Sequence, residues 1–175
     1  GNKAWIVEDE YDSEYRYTGR PLASLQSLDK AGCVIYVGTL SKVLFPGLRL
    51  GYLVAPPALV EAFAQAKAVV DRHTSIIPQI VLADFISEGH FQRHIRRTRE
   101  VYAERKSVLL NALGTHLADT FHIGPADAGM HLAMAFQQHR DDRAVAQAAL
   151  ENGIEVRAPS GFYATEMRRS LRPQT

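Results

Sequence analysis

Cys33-Val34-Ile35-Tyr36-Val37-Gly38-Thr39-Leu40-Ser41-Lys42 is an apolar run that ends in two hydroxyls and a lysine. Short, β-rich and without polar alternation, its first half reads as a strand buried in a parallel sheet. Ala4-Trp5-Ile6-Val7-Glu8-Asp9-Glu10-Tyr11 has the same form but closes on acid. Ligands of open α/β sheets bind at the carboxyl ends of the strands. Two such ends converging bring Asp9 and Tyr11 from one strand towards Thr39, Ser41 and Lys42 from the other. A third run, Leu48-Arg49-Leu50-Gly51-Tyr52-Leu53-Val54, is stopped by Ala55-Pro56-Pro57 and supplies Arg49.

A lysine among hydroxyls, with a guanidinium and a carboxylate at hand, suits pyridoxal phosphate. That cofactor needs an amine for its aldehyde and donors for its phosphate. It also needs a carboxylate opposite the pyridine nitrogen, so that the ring stays protonated and acts as an electron sink. Thr39, Ser41 and Arg49 answer to the phosphate, the planar fork of Arg49 matching its oxygens. Lys42 supplies the amine and Asp9 the carboxylate. Taken singly, each residue has a plainer reading. Ser-Lys is a common solvated pair, Asp9 after a strand is a turn or cap residue, and Arg49 is a surface ion-pair partner worth little. The ordered combination Asp-x-Tyr, Thr-x-Ser-Lys, Pro-Gly-Leu-Arg sets the first reading apart.

These motifs resemble those of the fold type I pyridoxal phosphate proteins, the aminotransferase class I/II family. The stretch Glu8 to Tyr17, followed by Gly19-Arg20-Pro21-Leu22, is most similar to the aminotransferase-like domain of MocR-type regulators in the GntR superfamily. The resemblance runs from the first residues to about Phe162. It implies that Asp9 pairs with the pyridine nitrogen, Tyr11 hydrogen-bonds the phenolic oxygen, Lys42 forms the Schiff base, and Arg49 and Thr39 hold phosphate. It implies an α/β chain with the fold of a PLP-dependent transferase. Residues 1–90 would be the C-terminal portion of a large three-layer αβα domain, and 91–175 most of a small α/β domain, incomplete at its end. The chain therefore reads as a fragment of a larger protein.

Glu10 alone stands between Asp9 and Tyr11, whereas catalytic members of the family usually place two residues there, and this spacing favours the regulator branch. Two functions follow from the resemblance. One is a cofactor-binding regulatory domain that responds to an amino acid or amine ligand and reaches DNA through an N-terminal domain outside this chain. The other is a working aminotransferase in which Lys42 also carries the proton. A cofactor-free structural remnant is a third. The resemblance implies a homodimer for the intact parent. The family's arginine for the substrate carboxylate lies near the carboxyl end; Arg157, Arg168, Arg169 and Arg172 are candidates by type, and the role falls on no particular one of them.

The 175 residues are 46% hydrophobic and 22% charged with a net charge of +1, an ordinary globular profile without polyelectrolyte character. Nothing in it demands nucleic acid. Cys33 is the single cysteine, which excludes a disulfide framework within the chain. No apolar stretch of membrane length and no signal-peptide pattern is present. The cytoplasm is the expected compartment, and no membrane partner is expected.

Elsewhere, the aromatic and charged run that follows Asp9 up to Tyr17, with the turn Thr18-Gly19-Arg20-Pro21, reads as a surface excursion near the site and Leu22 to Leu28 as a short helical turn. Apolar spacing predicts helices from Pro57 to about Asp71, from Ile76 to Gly89, and from Phe91 to about Leu117. The basic run His94-Ile95-Arg96-Arg97-Thr98-Arg99 on the last helix reads as a solvated face with ion pairs to Glu100 and Glu104. Met130 to Phe136 reads as a strand, Ala144 to Leu150 as a helix stopped by Gly153, and Ile154 to Arg157 as a short strand.

Overall fold

The computed structural model describes residues 4–163. They fall into two compact units, one made of residues 4–106 with Asp127–Met130 and the other of Ser107–Ala126 with residues 131–163.

The first unit carries a three-stranded sheet of β1 (Ile6–Glu10), β2 (Val34–Thr39) and β3 (Gly51–Val54), in that spatial order. β1 runs parallel to β2, and β3 returns antiparallel to it. Central β2 has the buried residues Val34 and Ile35, as a continuous apolar run requires. It is launched by Asp29, whose carboxylate accepts the main-chain N–H groups of Ala31, Gly32, Cys33 and Val34 at 2.7–2.9 Å. Glu8 performs a similar task for α1 (Leu25–Leu28), accepting from Leu25 N at 2.7 Å and Gln26 N at 2.9 Å. The buried-strand expectation fails for β1, where Ile6 is 43% and Val7 65% exposed, because among the described residues β1 pairs on one edge alone.

The third strand begins later than its apolar run. Pro46–Leu48 forms a 3-10 turn, which proline favours at its start, and Arg49 caps it in the left-handed region with φ 51°. The ladder therefore opens at Gly51, where the paired backbone comes close: a Cβ on Gly51 would lie 2.9 Å from the Gly38 carbonyl oxygen.

Helices α2 (Pro57–Val70), α3 (Ile76–Ser87) and α4 (His90–His116) follow the predicted spans to within a residue or two. Pro57 stands at the start of α2 and Gly89, with φ 74°, between α3 and α4. No residue of α2 or α3 is buried. Among the described residues no helix is long and apolar enough to cross a membrane.

The core of this unit gathers on Tyr15, Val43 and Ile95, with Tyr17, Leu40, Leu44, Phe91, Tyr102 and Met130 packed around them. Tyr15 is only 1% exposed, which corrects the reading of the run after Asp9 as a surface excursion. Its ring meets Tyr102 edge-on at 5.0 Å and its hydroxyl reaches Thr98 Oγ1 at 3.4 Å. The segment is pinned from the other side too. Gly129 N donates to Tyr15 O at 2.8 Å, Tyr17 N to Asp127 O at 2.9 Å, and Met130 N to Asp12 Oδ2 at 3.2 Å.

In the second unit β4 (Phe121–Ile123) pairs antiparallel with β5 (Met134–Phe136), the rings of Phe121 and Phe136 lying 4.6 Å apart. α5 (Asp142–Glu151) is capped by Asp141, which accepts from Arg143 N and Ala144 N. It ends at Glu151, and Gly153, φ 78°, follows as the stop that the sequence predicts. Ile154 to Arg157 is not a strand: no ladder partner reaches it among the described residues.

Candidate functional site

The six residues singled out from sequence all lie in the first unit. Parallel pairing sets Asp9 beside Val37 and Glu10 beside Gly38, and antiparallel pairing sets Thr39 beside Gly51. Paired residues share a face and side chains alternate along a strand. Asp9 and Thr39 therefore stand on one face at two adjacent carboxyl ends, and Glu8, Glu10, Tyr36 and Tyr52 stand on the other. Tyr11 follows β1 by one residue. Ser41 and Lys42 open the turn after β2, closed by Leu44 N donating to Leu40 O at 3.0 Å. Leu40 N in turn donates to Leu50 O at 3.0 Å, which extends the pairing past Thr39 and brings Arg49 back to the lysine turn.

Local bonds hold the frame and leave the chemistry open. Ser41 N donates to Thr39 Oγ1 at 3.2 Å. Lys42, Asp9 and Arg49 are exposed, and among the described residues their side chains form no hydrogen bond or ion pair. An uncommitted carboxylate, amine and guanidinium with two hydroxyls is the donor and acceptor set that a phosphorylated aldehyde requires, so these residues fit pyridoxal phosphate. The left-handed backbone of Arg49 adds to this, since a non-glycine residue at positive φ is costly and concentrates where a side chain must be aimed.

The opposite face carries an aromatic pair. Tyr52 lies across Gly38, where any Cβ would fall on its ring, and it stands 6.0 Å from the Tyr36 ring. Burial pushes the Tyr36 phenol well above its ordinary value, helped by the hydrogen bond with Tyr52 and by the charges of Glu10 and Glu14.

Sequence reasoning missed the part played by α4. Arg96, Arg97 and Arg99 of the basic run are exposed, as a solvated face requires, but the expected pairs to Glu100 and Glu104 do not form; among the described residues the ion pairs are Lys67–Asp71 and His90–Glu88. His94 Nε2 bonds Val43 O at 2.9 Å, and Arg99 Nε donates to Glu14 O at 2.9 Å. Ile95 is buried against Val43 and Tyr15, and Thr98 meets the Tyr15 hydroxyl. Positions 94, 95, 98, 99 and 102 form one helical stripe, and the signal was there in the apolar Ile95 and Tyr102 inside a charged run. Of the arginine candidates for a carboxylate, Arg157 is exposed in the second unit, and Arg168, Arg169 and Arg172 lie outside the described residues.

Residues 2–173 match the family model for aminotransferase class I and II. The chain is 48% identical over 151 residues to the probable rhizopine catabolism regulatory protein MocR of Rhizobium meliloti, covering 86% of this chain and 31% of that protein. It is 30% identical to aromatic-amino-acid aminotransferase 1 of Thermococcus litoralis, over 91% of this chain and 38% of the enzyme. Among solved structures, it is similar to the α-aminoadipate aminotransferase LysN of Thermus thermophilus, complexed with N-(5'-phosphopyridoxyl)-L-leucine. That likeness has a TM-score of 0.79 at 30% identity and covers 86% of this chain and 39% of the other. The chain spans about a third of the length of the curated relatives it matches. With the motif order, the parallel strand ends and a match along nearly all its length in agreement, this chain belongs to the aminotransferase class I and II family.

Proposed function

We propose that this chain is the pyridoxal phosphate-binding, aminotransferase-like part of a MocR-type regulator of the GntR superfamily. Residues 1–90 belong to its large cofactor domain and 91–175 to its small domain. The observation that carries the cofactor reading is the register, with Asp9 and Thr39 on one face at adjacent strand ends and an uncommitted Lys42 on the turn that follows. When bound, pyridoxal phosphate supplies an aldehyde that takes up amines and a ring that withdraws electrons from them. In this reading Lys42 Nζ holds the aldehyde, and Asp9 faces the pyridine nitrogen and keeps its proton in place. Tyr11 bonds the phenolic oxygen, and Thr39, Ser41 and Arg49 hold the phosphate. The regulator branch is supported by the 48% identity to the MocR protein and by the single residue between Asp9 and Tyr11. An amino acid or amine ligand competes with Lys42 for the cofactor, and DNA is engaged through a domain outside this chain. The intact protein is a cytoplasmic homodimer.

A working aminotransferase is the second reading, supported by the 30% identity to the Thermococcus litoralis enzyme. Lys42 would then also carry a proton to and from the amino acid's α-carbon. In the intact protein, borohydride treatment in the presence of pyridoxal phosphate should fix a label on Lys42, and Lys42→Ala should abolish it. A label that survives in Lys42→Ala refutes the cofactor assignment. Asp9→Asn separates the branches. It should cost an enzyme on the order of a hundredfold or more in rate, whereas ligand-dependent DNA binding by a regulator should persist. Robust wild-type turnover with DNA binding indifferent to every amino acid tested rejects the regulator reading.

A further inference from the structure

The geometry points to His94 as a positioning residue for Lys42, an inference that rests on the cofactor role proposed for that lysine. Lys42 makes no side-chain bond of its own among the described residues, so what the protein fixes is the backbone position from which its side chain reaches out. On the amino side that backbone is held by Ser41 N on Thr39 Oγ1 at 3.2 Å. On the carboxyl side the first carbonyl after the lysine is that of Val43, and it accepts from His94 Nε2 at 2.9 Å. A carbonyl can only accept, so Nε2 carries the proton in this bond whatever the charge of the ring.

The bond spans 51 residues of sequence and lies against the core, where Val43 is 1% and Ile95, the neighbour of His94, 8% exposed. Val43 and Ile95 share the cluster centred on Tyr15. A buried carbonyl stripped of its donor is costly to leave unpaired. The Leu40–Leu44 turn would have to shift to find another partner, taking Lys42 with it. Misplacement of a reacting group by about 1 Å costs up to roughly a hundredfold in rate. Thr98, one turn further along α4, meets the Tyr15 hydroxyl and donates back to the His94 and Ile95 carbonyls within the helix, so its bonds share the setting of His94 without any of them reaching the lysine turn.

The test uses the intact protein with His94→Met, which removes the donor and keeps bulk, and His94→Gln, whose amide nitrogen can take the place of Nε2. Thr98→Val is the control. Two readouts are taken. The first is independent of cofactor: amide hydrogen exchange of a peptide covering residues 40–45. The second is the rate at which limiting pyridoxal phosphate becomes fixed to Lys42 by borohydride, located by mass spectrometry. His94→Met should speed exchange in that peptide about tenfold or more and slow labelling by about tenfold to a hundredfold, while His94→Gln and Thr98→Val stay near wild type in both. Unchanged exchange and labelling in His94→Met, or an equal loss in Thr98→Val, overturns the inference. Wild-type protein that never labels at Lys42 overturns the cofactor reading instead, and the exchange result still decides whether His94 fixes the turn.

Discussion

Gly38→Ala is the perturbation whose cost follows most directly from the geometry. Gly38 is the residue of β2 paired with Tyr52, and a Cβ there would fall on the Tyr52 ring. The contact is with the far end of a side chain that is 47% exposed, so the ring can swing aside, and the cost is what it leaves behind. It leaves the tilted pair with Tyr36, centroids 6.0 Å apart, worth about 0.5 to 1.5 kcal/mol. Gly38→Ala should therefore destabilise by about 0.5 to 1.5 kcal/mol.

In a Tyr52→Ala background the ring is already gone. Gly38 has no positive φ, so alanine fits the strand and should stabilise by about 0.5 to 1 kcal/mol through the smaller entropy of the unfolded chain. The two substitutions should couple by about 1 to 2.5 kcal/mol, outside the scatter of independent sites. Urea unfolding of the four proteins reads this as midpoint shifts at constant slope. Equal cost of Gly38→Ala in both backgrounds refutes the account of why β2 carries a glycine. Because Tyr52 stands on the face opposite Asp9 and Thr39, labelling of Lys42 should be untouched throughout.

Tyr15→Ala should cost about 3 to 5 kcal/mol, as for other large buried aromatics, and Tyr15→Phe about 1 kcal/mol; a Tyr15→Phe cost that simply adds to that of Thr98→Val in the double variant would deny their hydrogen bond. Asp29 should contribute to acid denaturation. The Val34 N–H, with those of Ala31, Cys33 and Gly32, holds its carboxyl below the ordinary range against an opposing effect of burial. A depressed acid stabilises above its unfolded value of about 4, and that contribution is lost as pH falls through the folded value. Urea midpoints should accordingly drop less between about pH 6 and pH 3 in Asp29→Asn than in wild type, and parallel curves would count against it.

The sheet strands and three long helices were legible because each is an apolar run or stripe bounded by proline or glycine, as at Pro57 and Gly89. The candidate site was legible because its residues sit at the ends of those runs in a fixed order. What was not legible depends on distant partners. Tyr15 sits in a run of acids and reads as surface. It is buried by Ile95 and Tyr102 and bonded to Thr98, 83 residues away. His94 was hidden in the same way, its ring matched to a carbonyl that carries no sequence signal. Ile154 to Arg157 has strand composition but no ladder, whereas Phe121–Ile123, just three residues long, is a strand because Phe136 lies opposite Phe121.

The density of charge in Glu8-Asp9-Glu10-Tyr11-Asp12-Ser13-Glu14 suggests a ligand site made of many carboxylates, but the bonds divide the labour otherwise. Glu8 caps α1 through Leu25 N and Gln26 N. Glu10 accepts Ser13 N at 3.0 Å, and Asp12 accepts Met130 N and packs so close to Gly129 that a Cβ there would stand 3.0 Å from Asp12 Oδ2. These three carboxylates satisfy main-chain donors that a loop folded over a core would otherwise leave unpaired. Asp9 and Glu14 are not spent in that way, and of the two only Asp9 lies on β1, on the face it shares with Thr39. The acid-rich motif is thus mostly a folding device built around one available carboxylate. A second copy of that carboxylate would not be needed, because a single pyridine nitrogen asks for one partner.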